Sequence, residues 1–252
     1  MIPPPELPAG YRLVHYTSVG STNDEAKRLA RAGAPAQTCI WACEQTAGRG
    51  RRGRVWSSPP GNLYASLILR PDCPPSRAAQ LGFVAALAIG GGLGAVHPGL
   101  RALAYKWPND VLVNTRKIAG ILLEAETNAL ARPAFLVVGV GVNLTSSPKQ
   151  AEYPATSLAE EGRGKLSPAR MLAEFCRCFA GWERCWREEG FAAVRKAWLA
   201  NAASHGELIR VRLERETLYG RFLDIDEEGT LLLECPGGCH HISAGEVFPA
   251  NF

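Results

Sequence analysis

The chain lacks long hydrophobic runs. No stretch of its 252 residues holds the roughly 18 consecutive apolar positions of a membrane helix, so no span is expected. It also lacks a leader-like start, because Met1-Ile2-Pro3-Pro4-Pro5-Glu6 has neither a basic region nor an apolar core for secretion. Net charge is low: 28 Lys and Arg against 24 Asp and Glu leave +4, too small an excess for an extended nucleic-acid surface. The eight cysteines, at 39, 43, 73, 176, 178, 185, 235 and 239, are scattered without a framework. A chain of this length builds a core without staples, so they read as reduced thiols of a cytoplasmic protein. No Gly-x-Ser-x-Gly elbow is present, which leaves a serine hydrolase unsupported, and no internal repeat points to a solenoid.

The local excess of positive charge is concentrated in Glu44-Gln45-Thr46-Ala47-Gly48-Arg49-Gly50-Arg51-Arg52-Gly53-Arg54-Val55-Trp56. Glycine lets backbone approach a ligand closely, and each arginine carries a planar fork of donors suited to phosphate or carboxylate. Trp56 is placed to stack on a flat ring. A solvated basic turn is the alternative for such a run. Gly48, Gly50 and Gly53 also spell the dinucleotide fingerprint. That reading fails, because Ser57-Ser58-Pro59-Pro60-Gly61 follows where a helix should open on the pyrophosphate.

Around this loop the pattern alternates between strand and helix. Residues 1–10 read as a loosely held arm. Strands are expected at 11–16, 38–43 and 62–69; Ala104-Tyr105-Lys106-Trp107 runs into a turn at Pro108-Asn109-Asp110, a hairpin over 111–124 turns at Asn114-Thr115-Arg116, and a last strand lies at 134–143. A helix is expected at 23–32, with Ser21, Thr22 or Asn23 as its cap, and an apolar one at 80–96 packed under the sheet. Two more follow, one opening at Ser167-Pro168 and one at 191–199. Gly139 and Gly141 inside a strand signal close strand packing or the approach of a ligand. After Asn201-Ala202-Ala203-Ser204-His205-Gly206 come short alternating strands at 208–213, 216–224, 230–234 and 240–243. The expected division is therefore a domain over 1–205 and a small all-β domain over 206–252. Cys235-Pro236-Gly237-Gly238-Cys239-His240-His241 has zinc-type side chains but no second pair nearby, and reads as a hairpin tip.

Four segments occur in a telling order. Glu44 to Trp56 is followed by Lys106-Trp107-Pro108-Asn109-Asp110, then Lys117-Ile118-Ala119-Gly120-Ile121-Leu122-Leu123-Glu124, then Gly139-Val140-Gly141-Val142-Asn143. With Ser21-Thr22-Asn23 ahead of them, this set closely resembles the bacterial biotin protein ligases, and Ala244-Gly245-Glu246-Val247 extends the resemblance to the C-terminal part. The resemblance implies an α+β fold: a catalytic domain of the biotin/lipoate ligase type, like class II aminoacyl-tRNA synthetases, with a mixed sheet and helices, followed by an SH3-like barrel.

The resemblance also implies the chemistry. Biotin's carboxylate attacks the α-phosphorus of ATP to give biotinyl-5′-AMP and pyrophosphate, and a lysine of a carrier protein then takes the biotin. Arg49, Arg51 and Lys117 are the implied catalytic cations. The implied biotin site is Ser21, Thr22, Asn23, Gln45, Arg49, Gly50, Arg51, Lys117, Gly120 and Gly139. Arg51, Arg54, Trp56, Lys106, Asn109 and Asn143 are implied on the ATP and adenylate side, with Asp110 toward Mg²⁺; the roles of Arg52 and Arg54 stay open between pyrophosphate and solvent. ATP with Mg²⁺ and biotin are substrates, with no bound prosthetic group. The implied partner is the biotin carboxyl carrier protein domain of a biotin-dependent carboxylase, with no membrane; the assembly stays open between monomer and homodimer. Some relatives carry an N-terminal winged helix-turn-helix, but only about ten residues precede the first strand here, so no DNA binding is expected. Two rival readings are a lipoate–protein ligase of the same fold and a nucleic-acid-binding module built on the Arg/Gly loop.

Overall fold

The alternating segments pair into one seven-stranded mixed sheet in the computed structural model, which describes residues 5–128, 131–150, 152–162 and 166–250. Residues 1–4 of the expected arm lie outside the described residues; Leu7 within it packs on the core. The strands are β1 (Arg12–Val19), β2 (Thr38–Gln45), β3 (Leu63–Leu69), β4 (Leu103–Lys106), β5 (Asp110–Val113), β6 (Arg116–Thr127) and β7 (Pro133–Val142). Their spatial order is β1-β2-β3-β7-β6-β5-β4. Only β1 and β2 run parallel, and α1 (Thr22–Arg31) supplies the crossover that a parallel pair requires.

Side chains of a strand alternate between the two faces, so each strand feeds two layers. On β3, Leu63, Ala65, Leu67 and Leu69 enter the larger core, while Ile68 joins a smaller cluster with Ala26 and Ala30 of α1. On β7, Leu136, Val138, Val140 and Val142 enter the larger core, and Phe135 and Val137 face α1. Gly139 and Gly141 continue the α1-facing row. The sheet is therefore bare where the row reaches the N-terminus of α1.

The larger core is closed by α2 (Pro75–Ala79), α3 (Leu81–Val96), α4 (Pro168–Glu189) and α5 (Phe191–Leu199). Apolar all round, α3 is buried on nearly every side, as such a helix must be in water. Residues 75–96 together are long and apolar enough to cross a membrane, which the search for an unbroken apolar run missed, yet most of that segment is buried inside the fold. One apolar stripe on α4, with Met171, Leu172, Phe175 and Phe179, packs there too.

Five strands, β8 (Leu208–Arg212), β9 (Thr217–Ile225), β10 (Leu231–Cys235), β11 (Gly238–Ile242) and β12 (Glu246–Pro249), form a second, antiparallel sheet. Four were expected. The fifth, β12, is too short for its alternation to register in sequence, and it pairs with β8 at the sheet edge. The second sheet shares the first core: Ile209, Val211, Phe222 and Leu231 belong to the same cluster as the α3 side chains. Gln80 Nε2 donates to Glu227 O at 2.8 Å, and Trp107 Nε1 to Gly229 O at 3.1 Å. All eight cysteines are free thiols.

Candidate active site

Burying polar groups costs free energy unless each finds a partner, so buried polar side chains mark places where packing yields to something else. Ser21, Thr22, Asn23, Lys106, Asp110 and Asn143 are all buried. They line one cavity of about 460 Å³ together with Gln45, Arg49, Gly50, Arg51, Arg54, Trp56, Asn109, Lys117, Gly120 and Gly139. The structure thus brings every sequence candidate to one place.

One end of the cavity is a neutral polar network at the start of α1. Ser21 occupies the cap position but makes no side-chain capping bond. Thr22 and Asn23 are turned away from capping altogether. Thr22 N donates to Gln45 Oε1 at 2.8 Å, and Gln45 Nε2 donates to Ser58 Oγ at 2.9 Å. Asn23 Nδ2 donates to Glu124 Oε2 at 2.8 Å. Asn23 also fills the space over Gly139, where any Cβ would collide with its Oδ1.

The other end is cationic. Asp110 lies between two lysines, 2.5 Å from Lys117 Nζ and 3.2 Å from Lys106 Nζ. Burial alone would raise the Asp110 carboxyl, but the two lysines outweigh it and hold it below the ordinary carboxylate range. Burial likewise pulls the Lys106 ammonium down, against Asp110. Lys106 Nζ also stands 3.7 Å from the centre of the Tyr153 ring, a cation–π contact. Lys117 joins this end through a register shift between β5 and β6, which follows the pairing of Val111 with Ala119 and sets Lys117 opposite Leu112. Its ammonium reaches Asp110 in the cavity, with the side chain only 25% exposed. Among the described residues no group of three His, Cys, Asp or Glu gathers, so Asp110 makes no resident metal centre with its neighbours.

The Arg/Gly loop closes the cavity from one side. It is a small hairpin with a 3₁₀ turn at Arg51–Gly53, where Gly50 N donates to Arg54 O at 2.7 Å and Trp56 N to Gly48 O at 2.9 Å. Its arginines diverge. Arg49 pairs with Asp24 and stands 3.6 Å from Glu124; Arg51 reaches Asn109 at 3.2 Å and Gly245 O at 3.4 Å. Arg54 pairs with Glu246 of β12 and, at 3.4 Å, with Glu152. Arg52 lies outside the cavity lining, 3.7 Å from Glu246. Burial lowers the Arg51 guanidinium from its ordinary value, with Asp110 offsetting part of that. A half-buried cation without a full counter-charge is a waiting anion site.

Trp56 packs against the bare strands. A Cβ on Gly141 would fall 2.5 Å from its Nε1 and Cε2, and one on Gly120 3.0 Å from Cζ3. Lys117 Nζ is 5.3 Å from the indole centre. Trp56 Nε1 is buried without a hydrogen-bond partner. Asn143 spans to a neighbouring segment through Nδ2, which donates to Thr156 O at 3.0 Å.

With this geometry in hand, comparison with known proteins is decisive. The profile of the Biotin/lipoate A/B protein ligase family matches residues 21–200, and that of the Biotin protein ligase C terminal domain residues 204–248. A biotin–[acetyl-CoA-carboxylase] ligase of Paracoccus denitrificans is 43% identical, over 90% of this chain and 96% of its own. The chain belongs to the biotin protein ligase family. The bifunctional ligase/repressor BirA of Bacillus subtilis is 36% identical over 94% of this chain and 74% of its own. The solved biotin protein ligase of Aquifex aeolicus in complex with biotin and ATP superposes with a TM-score of 0.81 at 26% identity, over 94% of this chain and 97% of that one.

Four residues in or behind this cavity have no role that the sequence motifs assign. Ser66, Tyr153 and Glu246 went unremarked as site residues, and Glu124 appeared only as the end of a motif. Ser66 had one available signal, a polar residue inside the apolar strand Leu63-Tyr64-Ala65-Ser66-Leu67-Ile68-Leu69. Glu246 had only its place in Ala244-Gly245-Glu246-Val247, because its partner Arg54 is distant in sequence.

Proposed function

We propose that the protein is an ATP-dependent biotin protein ligase, and the observation that carries the reading is the single cavity with a neutral polar end and a cationic end. A bicyclic urea needs a few fixed donors and acceptors in an otherwise apolar slot, which Thr22, Asn23 and Gln45 supply. A carboxylate meeting a polyphosphate needs cations that are already in place, and Arg49, Arg51, Lys106 and Lys117 line the same space. In the first step the biotin carboxylate oxygen bonds to the α-phosphorus as the bond to pyrophosphate breaks. In the second, a carrier lysine amine attacks the acyl carbon and AMP leaves. Negative charge grows on the phosphate oxygens in the first step, where lysine and arginine stabilise it most.

Trp56, packed against Gly120 and Gly141, is assigned to the adenine, together with Asn143; Arg54, Asn109 and Lys106 are assigned to the phosphates. Mg²⁺ enters with ATP as part of the substrate and neutralises phosphate charge, with Asp110 as the carboxylate facing that end. The acceptor is a biotin carboxyl carrier protein domain of a carboxylase. The same reading assigns residues 1–205 to a catalytic domain like class II aminoacyl-tRNA synthetases and residues 206–252 to an SH3-like barrel. It assigns the protein to the cytoplasm, consistent with its free thiols. It includes no DNA partner, since Arg49, Arg52 and Arg54 stand beside carboxylates of this chain rather than on an open basic face.

The test is biotin-dependent pyrophosphate release from ATP, followed by transfer of label to a carrier domain. Thermal melting with each free acid separates the nearest rival: biotin should raise the midpoint and lipoate should not, because a site built on hydrogen bonds rejects a ligand lacking them. Equal stabilisation by lipoate would reassign the enzyme as a lipoate ligase.

A further inference from the structure

Behind the polar end of the cavity runs a chain of hydrogen bonds whose proton positions are determined by its two ends. At one end Glu124 can only accept. Its Oε2 takes a proton from Asn23 Nδ2 at 2.8 Å, and Leu122 O takes the other at 3.3 Å, so the Asn23 amide cannot flip. Glu124 itself is held by Lys27 at 2.8 Å. Asn23 Oδ1 therefore faces Ser66 Oγ at 2.6 Å, and Ser66 also lies 2.8 Å from Thr22 Oγ1. Ser66 has one proton and Asn23 Oδ1 has none, so the serine proton belongs to Asn23. Thr22 must then donate into the Ser66 oxygen or, at 3.1 Å, into Gln45 Oε1. At the far end Ser58 Oγ donates to Trp56 O at 2.8 Å, which obliges Gln45 to present its nitrogen to Ser58. Both ends are pure acceptors, so neither terminal amide is free to reverse.

We propose that Glu124 and Ser66 are positioning residues for biotin: by holding the Asn23 amide and the Ser66 proton in one arrangement, they oblige Thr22 Oγ1 to donate inward, to Ser66 or Gln45, and to present its lone pairs to the ligand. The proposal rests on the biotin-ligase reading and adds to it a cause for the site's polarity. Ser66 is fully buried and Asn23 nearly so, and a buried network of this kind holds one arrangement only while every member is satisfied. Glu124 is also the group that links this end to the catalytic side, since Arg49 stands 3.6 Å from its carboxylate.

Replacing Glu124 by Gln keeps the volume but supplies an amide that can donate to Asn23 Oδ1. Asn23 then keeps only the longer bond to Leu122 O to oppose reversal, and in the reversed amide Ser66 loses its acceptor and its proton turns toward Thr22. Replacing Ser66 by Ala removes the middle of the same chain.

Calorimetry with biotin alone, paired with the ATP dependence of pyrophosphate release, tests this. Glu124→Gln should weaken biotin at least about tenfold while the KM for ATP stays within about twofold, a split that general loosening of the fold would not produce. Ser66→Ala should weaken biotin at least about fivefold. The double variant should be no more than about twofold worse than the worse single one, because both act through one chain, whereas independent losses would multiply. A biotin affinity unchanged in either variant, an ATP KM rising in step, or multiplying losses would each overturn the proposal. If Glu124→Gln does not fold, as its thermal melt reports, the loss of one hydroxyl in Ser66→Ala decides alone. Failure of the unaltered protein to bind biotin is a separate result: it removes the functional reading, and this proposal with it.

Discussion

Asp110 Oδ1 and Lys117 Nζ lie 2.5 Å apart inside the cavity, joining the first residue of β5 to the second of β6. Lys106 holds the other oxygen of the same carboxylate at 3.2 Å. Two ammonium groups thus depend on one buried anion in the free protein. On the proposed assignment they pass to the phosphates when the nucleotide competes for them.

The pairing predicts how Asp110→Asn behaves with pH. The lysines hold the folded carboxyl below its ordinary value of 3.8, so its stabilising contribution is complete above pH 3.8 and is lost as pH falls through the folded value. Leaving the buried Lys106 and the partly buried Lys117 without their anion should cost about 3 kcal/mol at neutral pH. Denaturant unfolding of both proteins across pH should show that gap narrowing below pH 3.8. A gap that stays constant into acid would mean the carboxylate charge is not what stabilises the hairpin.

Lys117→Ala should fold, because Asp110 keeps Lys106 as its counter-charge. It should lose on the order of 100-fold in biotin-dependent pyrophosphate release, the scale expected when one preorganised charge is removed from a reacting phosphate. Calorimetric biotin affinity should fall less than turnover does. Near-normal release would remove Lys117 from the chemistry.

How much of this could be read in advance differs from residue to residue. Gly48 to Trp56 and Lys106 to Asp110 declare themselves because their chemistry lies in consecutive residues. All sixteen site candidates come from such local runs, and all line the cavity. The direction of Lys117 was not legible, since it depends on a register shift that only strand pairing reveals. Ser66 acquires its meaning from Asn23, which stands opposite it only after β3 packs on α1. Glu246 belongs to a four-residue strand whose alternation is too short to read, and its partners come from the other end of the chain. Sequence carried what is local; the fold alone supplied the pairings across elements.

Gly141→Ala should separate nucleotide from biotin. The added carbon would fall 2.5 Å from the Trp56 ring, and backbone on one side leaves the indole as the group that must move. Overpacking of this kind typically costs about 1–3 kcal/mol of stability. The KM for ATP should rise at least about fivefold while biotin affinity, measured without ATP, stays within about twofold. If both fall together, Trp56 is part of the biotin slot rather than the adenine platform.

The loop offers the last test. Its glycines and four mutually repelling arginines favour mobility, whereas the structure gives it a 3₁₀ turn, internal hydrogen bonds and a pairing of Arg54 with Glu246 of β12. The hold is partial: Val55 remains 87% exposed, and Arg52 and Arg54 are exposed beside it. Ordering such residues fully costs about 1–2 kcal/mol each, which phosphate contacts to Arg49 and Arg51 would have to offset. Trypsin should therefore cut after Arg51 or Arg52 in the free protein, and biotin with ATP should protect those bonds. Glu246→Gln should quicken cleavage of the free protein several-fold, since Glu246 is only 14% exposed and holds Arg54 directly. It should make little difference once the adenylate has formed. Mass spectrometry of the peptides ending at Arg51 and Arg52 reads both effects. Equal cleavage with and without the two substrates would show that the loop closes over nothing, and that shielding of the reactive anhydride from water lies elsewhere.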